Sequence, residues 1–237
     1  MKKKILMSLA LSSTLVLFFS ACKKDEDNSP PQDASVMIVN ASPASPSVEL
    51  YLDDTKASTQ AVAYSQNSAY VAAPPKQYNI KIAAINSINP LAEANVNIGE
   101  GRNYSVFAYD TILNGKSKVF ALEDDLSAPP SGKAKVRFLH LSPGNLAVDI
   151  TANDVIVFDN RSYADNVTTG SKAAFKTMDA GTYTIGVRLA GSNPSIPAIV
   201  TVQNISIEAG KIYTIYAKGL VTGSGPNALG AGMIINK

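Results

Sequence analysis

Val136-Arg137-Phe138-Leu139-His140-Leu141-Ser142-Pro143, followed by Val148-Asp149-Ile150, decides the fold. One hundred positions earlier the chain carries Val36-Met37-Ile38-Val39-Asn40-Ala41-Ser42-Pro43, then Val48-Glu49-Leu50. Each copy reads as a buried strand, a Ser-Pro break that a strand interior does not accept, and a second alternating strand. A self-match at this spacing predicts a tandem repeat of one β unit.

Outward from these stretches, alternating runs fall at 36–41, 48–52, 69–72, 78–84, 94–98 and 104–109 in the first unit. The second unit answers at 136–141, 148–151, 155–158, 173–176, 183–189, 199–207 and 212–218. Tyr78, Ile80 and Ile82 share a strand face, as do Tyr183, Ile185 and Val187. Ile98, Gly101, Arg102, Tyr104 and Val106 match Ile207, Gly210, Lys211, Tyr213 and Ile215 at one offset, with the glycine expected to supply a positive φ. No long run has a helical period, and turn signals such as Asn153-Asp154, Ala180-Gly181 and Asn193-Pro194 punctuate the strands.

The expectation is therefore an all-β chain of two tandem β-sandwich, immunoglobulin-like domains, each built from two antiparallel sheets. Each unit is expected to close with an added hairpin. In the first, 111–113 returns through Asn114-Gly115 into 118–122; in the second, Leu220-Val221 pairs with 232–235. The predicted order is a signal peptide at 1–21, a disordered tether at 22–34, repeat one at 35–122, a linker at 123–133 and repeat two at 134–237.

Two units of this size bury enough apolar surface to fold without a disulfide or metal. With 17% charged and 46% apolar residues the body is globular. The formal charge of +2 counts Lys2, Lys3 and Lys4; without residues 1–21 there are 18 basic against 19 acidic side chains, and no basic stripe for nucleic acid.

Three lysines, the uncharged stretch 5–19 and then Ser20-Ala21-Cys22 follow the order of a secretory signal. As a helix that stretch spans roughly 22 Å against about 30 Å of hydrocarbon, too short for a comfortable transmembrane anchor. Phe19-Ser20-Ala21-Cys22 resembles a bacterial lipobox, with Phe19 where Leu is usual. That resemblance implies diacylation of Cys22 through sulfur, cleavage before it, and acylation of the new amino group, a firm membrane anchor. In Lys23-Lys24-Asp25-Glu26-Asp27, residue 23 is Lys where an aspartate is the usual inner-membrane retention cue, which favours the outer membrane. The run also resembles a surface-export signal used in one Gram-negative phylum; read plainly, it is a solvated charged tether.

Leu141-Ser142-Pro143, Val148-Asp149-Ile150, Gly181-Thr182-Tyr183-Thr184-Ile185 and Gly210-Lys211-Ile212-Tyr213-Thr214-Ile215 resemble the bacterial domain of unknown function forty-three ninety-seven. The resemblance covers 134–219 and, more weakly, 35–109, where Lys76-Gln77-Tyr78 replaces the usual glycine before the aromatic strand. It implies a cell-envelope β domain, often in tandem on lipoproteins, and brings no catalytic residues.

His140 is the sole histidine, with Asn40 in its place in the first unit. A triad of His140, Ser142 and Asp149 can be drawn, but a nucleophile and base need converging side chains rather than neighbouring positions. No catalytic, cofactor-binding or metal site is expected: Asp53-Asp54 and Glu123-Asp124-Asp125 lack the spaced oxygens of a calcium loop. Gly115-Lys116-Ser117 lacks the leading glycine of a phosphate loop, Asp110 standing there. Asp110-Thr111-Ile112 fits a three-residue O-glycosylation acceptor, making Thr111 the attachment point. Tyr78, Tyr104, Tyr183 and Tyr213 are read as core, whereas Tyr51, Tyr64, Tyr109, Tyr163 and Tyr216 are open to surface recognition. The functional expectation is a non-enzymatic outer-membrane lipoprotein, held by its lipid anchor, displaying two domains for adhesion, scaffolding or protein interaction. The alternative is a glycan- or peptide-binding accessory lipoprotein.

Overall fold

Val36 and Ile38 point to one side of their strand and Met37 and Val39 to the other, and all four are buried. Two-sided burial is why 36–41 is nearly continuous in apolar residues instead of alternating. This strand is β1 (Ala34–Asn40). It opens inside the stretch expected to be tether.

The computed structural model describes residues 30–87, 89–113, 116–144, 146–168, 170–193 and 195–237. The first half continues with β2 (Val48–Leu52), β3 (Thr55–Lys56), β4 (Val71–Ala73), β5 (Lys76–Ala84), β6 (Pro90–Ile98), β7 (Asn103–Leu113) and β8 (Lys116–Glu123). The second comprises β9 (Lys133–His140), β10 (Val148–Ala152), β11 (Val155–Arg161), β12 (Lys176–Asp179), β13 (Gly181–Leu189), β14 (Val200–Ile207), β15 (Ile212–Lys218) and β16 (Gly230–Ile235). The sheets are ordered β4-β1-β7-β8 and β3-β2-β5-β6, then β12-β9-β15-β16 and β11-β10-β13-β14. Adding eight to each label turns the first pair into the second. The described residues are all-β, in four small sheets.

Three expectations need correction. The sheets are not wholly antiparallel: β1 lies parallel to β7, with Val36 opposite Tyr104, and β9 parallel to β15, with Val136 opposite Tyr213. Apolar period reports which face is buried but not strand direction. Second, the strand expected at 173–176 does not form over 173–175. A helical turn α1 (Asp165–Thr168) and a 3-10 turn at Gly170–Ala173 precede β12, which begins at Lys176. The Arg161 guanidinium gathers that segment, donating to Asp165 Oδ2 at 3.0 Å and to the Lys172 carbonyl at 2.6 Å.

Third, Leu220-Val221 does not pair with 232–235. β15 itself takes β16 as partner, Tyr213 opposite Ile235 and Lys218 opposite Gly230. The intervening segment folds on itself, the Leu220 and Leu229 amides donating to the Asn227 and Leu220 carbonyls. In the first half β7 and β8 do form the hairpin, from Tyr104 opposite Glu123 to Leu113 opposite Lys116. Its Asn114-Gly115 turn lies outside the described residues. The run expected at 69–72 is the shorter β4, and 155–158 extends to Arg161 as β11.

Each half has its own core between its two sheets. Val36, Ile38, Leu50, Ile80, Ile82 and Val106 fill the first; Val136, Phe138, Ile150, Ile185, Val187 and Ile215 fill the second. Each such side chain contributes about 1.5–3 kcal/mol by leaving water. The four core tyrosines lock the units by repeated bonds. Tyr78 and Tyr183 donate to the carbonyls of Pro74 and Asp179, both at 2.9 Å. The Tyr104 and Tyr213 hydroxyls accept from the amides of Gly99 at 3.0 Å and Glu208 at 3.1 Å. Gly101 and Gly210 carry the expected positive φ, 62° and 82°.

A third core joins the halves. Met37, Val39, Phe107, Tyr109 and Phe120 meet Leu139, Leu141, Tyr216 and Ile234 across a seam between the β1 and β9 sheets. Phe107 stacks on Phe120 at 5.1 Å on one side; on the other, the Tyr216 ring lies over Gly232, where a Cβ would come within 2.4 Å of it.

Candidate functional site

The end of β9 places His140, Ser142 and Asp149 near one another in sequence, and the fold gives each a separate structural bond. The Ser-Pro break ends the strand, so the chain can turn and start β10. His140 Nε2 meets the Leu146 carbonyl at 3.1 Å and must donate there, leaving Nδ1 as a buried acceptor. Asn40 makes the matching bond, its Nδ2 donating to the Pro46 carbonyl at 3.2 Å. Ser142 Oγ donates to the Gly219 carbonyl at 2.7 Å, as Ser42 Oγ does to that of Asp110 at 2.6 Å. The Asp149 carboxylate accepts from the amides of Asn160 and Gly191 at 2.7 and 2.9 Å. None of the three bonds another, and the structure does not assemble the drawn triad. Burial pushes the His140 imidazole below its usual pKa, opposed by its bond to Leu146.

The tyrosines left open divide by burial. Tyr216 and Tyr109 are buried in the seam, and Tyr163 packs against it. Tyr64 is half-buried, its hydroxyl pushed up to about 12 mainly by burial, and Tyr51 donates to Glu49 at 3.0 Å. Among the described residues, no three His, Cys, Asp or Glu side chains are grouped to hold a metal. Thr111 sits half-buried on β7 beside Asp110, whose carboxylate Oδ1 accepts from the Thr111 amide at 2.8 Å. Cys22 lies outside the described residues.

Pattern reading missed the polar centre of the seam. Arg137, fully buried on β9, donates through Nη2 to Asp124 Oδ1 at 2.5 Å and through Nε to Thr214 Oγ1 at 2.7 Å. Thr214 Oγ1 donates to Asn236 Oδ1 at 2.7 Å, and Asn236 Nδ2 reaches Tyr70 OH and Ser105 Oγ, each at 3.3 Å. Tyr70 and Ser105 in turn donate to Asp124 Oδ2 at 2.7 and 2.6 Å. Burial works against the guanidinium's charge and the Asp124 carboxylate favours it; an arginine stays protonated under either influence. Asp124 belongs to the segment expected to be a plain linker. One signal for its partner was present: Met37 and Val39 are apolar at positions that a one-sided sheet would leave to solvent.

Beside the buried pair opens a polar cleft of about 570 Å³ lined by Arg102, Glu123, Asp125, Ser127 and Lys237. Arg102 pairs with Glu123 at 2.8 Å and Asp125 with Lys135 at 2.7 Å, while the Lys237 ammonium donates to the Leu126 carbonyl at 2.9 Å. The chain comes in at this end, where the Gly101 amide donates to the Gln32 carbonyl at 3.0 Å.

Strand order and the repeated Ser-Pro, glycine and tyrosine bonds are thus placed in both halves. Residues 34–151 match the family described as Domain of unknown function (DUF4397). The DUF4397 match takes in β1 to β8 and runs on through β9 and most of β10. It therefore centres on the first half, whereas the resemblance was expected to be stronger over 134–219. No curated protein matches the chain.

Proposed function

We propose that the chain is a non-enzymatic outer-membrane lipoprotein, anchored through Cys22, that displays two β-sandwich modules for adhesion, scaffolding or protein interaction. The observation that carries this is polarity along the strands. Gln32, the 124–132 segment and Lys237 gather at one end, and the loops after β9, β13 and β15 project from the other. Those loops lie at the end of the β body opposite Gln32. The second half is on this reading a second copy of the DUF4397 module, supported by identical strand order and matching tyrosine bonds. His140, Ser142 and Asp149, each bonded to backbone, support a non-catalytic role.

Protease shaving of intact cells with mass spectrometry of the N-terminal peptide tests this reading. The expected result is a triacylated peptide beginning at Cys22, and a Cys22→Ala chain that leaves the membrane fraction or stays unprocessed. A mature Cys22→Ala chain still in the outer membrane would refute the anchor. The open polar cleft at Arg102 and Lys237 favours, second, glycan or peptide binding; a glycan array at background level removes the glycan arm.

A further inference from the structure

An edge strand offers unpaired amides and carbonyls to any other strand, and natural sheets blunt it with charge, proline, a bulge or brevity. Every edge of the four described sheets carries such a device except one. β8 has Lys116 and Lys118, β12 has Lys176 and Asp179, and β6 opens on Pro90. β14 is bulged against β13, with Asn204 at φ 60°, and β11 is bulged against β10 and carries Asp159. β3 and β4 have two and three residues. The exception is β16, Gly230-Ala231-Gly232-Met233-Ile234-Ile235, uncharged and paired with β15 without a register shift.

β8 holds the same place in the first half and shows what is missing. Glu123 faces Tyr104 and Lys118 faces Tyr109 there; in the second half Ile235 faces Tyr213 and Gly230 faces Lys218. Both charges are gone. Met233 and Ile235 are instead 39% and 52% exposed. Beside β16 lies a hollow of about 150 Å³, lined by Val202, Ile205, Ile215, Ala231 and Met233. In the first half Val96, Val119 and Ala121 pack onto the core from the matching strands.

The main chain of β16 defines the kind of occupant. The Asn236 amide donates to the Ile212 carbonyl at 2.7 Å, so at a period of two Ile234 and Gly232 also bond toward β15. The amides and carbonyls of Ala231, Met233 and Ile235 point outward, and among the described residues no strand lies beyond them. Such an edge takes an extended strand, bonded along its backbone.

The order of side chains selects which strand. β16 runs from small residues to large ones, with Met233 between them. An antiparallel copy turned about a two-fold axis at Met233 sets Ala231 against Ile235 of the copy and Gly232 against its Ile234, so each isoleucine meets a small residue. A foreign strand would have to reproduce that gradient; the copy supplies it by symmetry. Met233 meets its own image, and each pair of outward residues exchanges two main-chain bonds. No charge faces its like. Once joined, the sheet ends in β12 on both sides, with Lys176 and Asp179 guarding each edge, so the assembly closes at two chains.

We propose that β16 is the pairing edge of a two-fold dimer of this chain, which joins two four-stranded sheets into one across Met233. The pairing does not depend on the lipid anchor.

Sedimentation equilibrium of the full chain in density-matched detergent tests it, with or without lipid on Cys22. The wild type should pass from monomer to dimer below about 100 µM. Met233→Lys sets like charges face to face at the axis and should weaken the dimer at least about tenfold. Met233→Lys mixed with Met233→Glu should pair again, because only a register that sets residue 233 against its own copy brings the two charges together. Ile235→Glu, the second variant, returns to the edge the charge that Glu123 gives β8 and should weaken pairing too. Thermal unfolding of each variant checks that the exposed substitution leaves the fold intact. A wild-type monomer throughout that range overturns the proposal and leaves the edge to a strand of another protein. A dimer that both charged variants leave equally tight overturns it as well, as does a Lys–Glu mixture no tighter than the lysine variant alone.

Discussion

The Arg137 guanidinium and the Asp124 carboxylate meet at 2.5 Å with both side chains wholly shielded from solvent. One comes from the second half and the other from the segment joining the halves, so the pair holds the seam closed. Removing one partner strands the other charge. Asp124→Ala should cost about 3–5 kcal/mol, and Arg137→Met with Asp124→Leu should recover a large part of that loss. Urea unfolding of the single and double variants measures both.

Asp125, the adjacent residue, should behave in the opposite way. Lys135 foremost, with Ser127, holds its carboxyl down at about 2, but the side chain is 63% exposed. Its folded pKa lies below the unfolded 3.8, so the contribution is present above pH 3.8 and fades as pH falls toward 2. Solvent screening keeps it below about 1 kcal/mol. Asp125→Asn should therefore shift the urea midpoint slightly at pH 7 and by progressively less as pH falls toward 2.

These neighbours also mark how far the pattern of residues could be read. Offsets between the two halves gave away the core positions of the four tyrosines, the Gly101 and Gly210 turns and the Ser-Pro breaks, because each depends on residues within one unit. Arg137 stands between Val136 and Phe138, on the strand face opposite theirs. Its burial depends on Phe107, Ser105 and Tyr70, which come from the other half. Apolar residues on the far face, as at Met37 and Val39, show that something covers it but not which residues do. The parallel pairing of β1 with β7 escaped for a related reason, since side-chain period is the same in either direction.

Gly232 should resist any side chain. A Cβ there would come within 2.4–2.8 Å of Tyr216 Cζ, Cε1 and the hydroxyl oxygen, and Tyr216 is packed in the seam. Gly232→Ala is expected to cost about 1–3 kcal/mol as an overpacked contact. Gly181 offers the control: its Cβ would sit 3.7 Å from Tyr183, an ordinary distance. Thermal unfolding of both alanine variants should show a clear drop for the first and little change for the second.

His140 gives the chain a pH dependence that its counterpart Asn40 lacks. The ring is buried, its Nε2–H is committed to the Leu146 carbonyl, and Nδ1 has no donor opposite it. The charged groups whose fields reach it are Asp165, which favours protonation, and Arg161, which opposes it; the Tyr163 ring edge closes the site at 6.5 Å. Burial dominates, so the folded pKa lies below the ordinary 6.5. The unfolded chain then binds the proton more readily. Stability should be full above pH 6.5 and decline as pH falls from there toward the folded pKa. His140→Asn copies the first half, keeping a donor for Leu146 while removing the titrating group. Denaturation midpoints of the two proteins should converge near pH 7.5 and separate between pH 6 and 4.5, in the variant's favour relative to their pH 7.5 values. Parallel curves over that range would mean that the imidazole protonates as easily in the fold as in water, and that its burial has been misjudged.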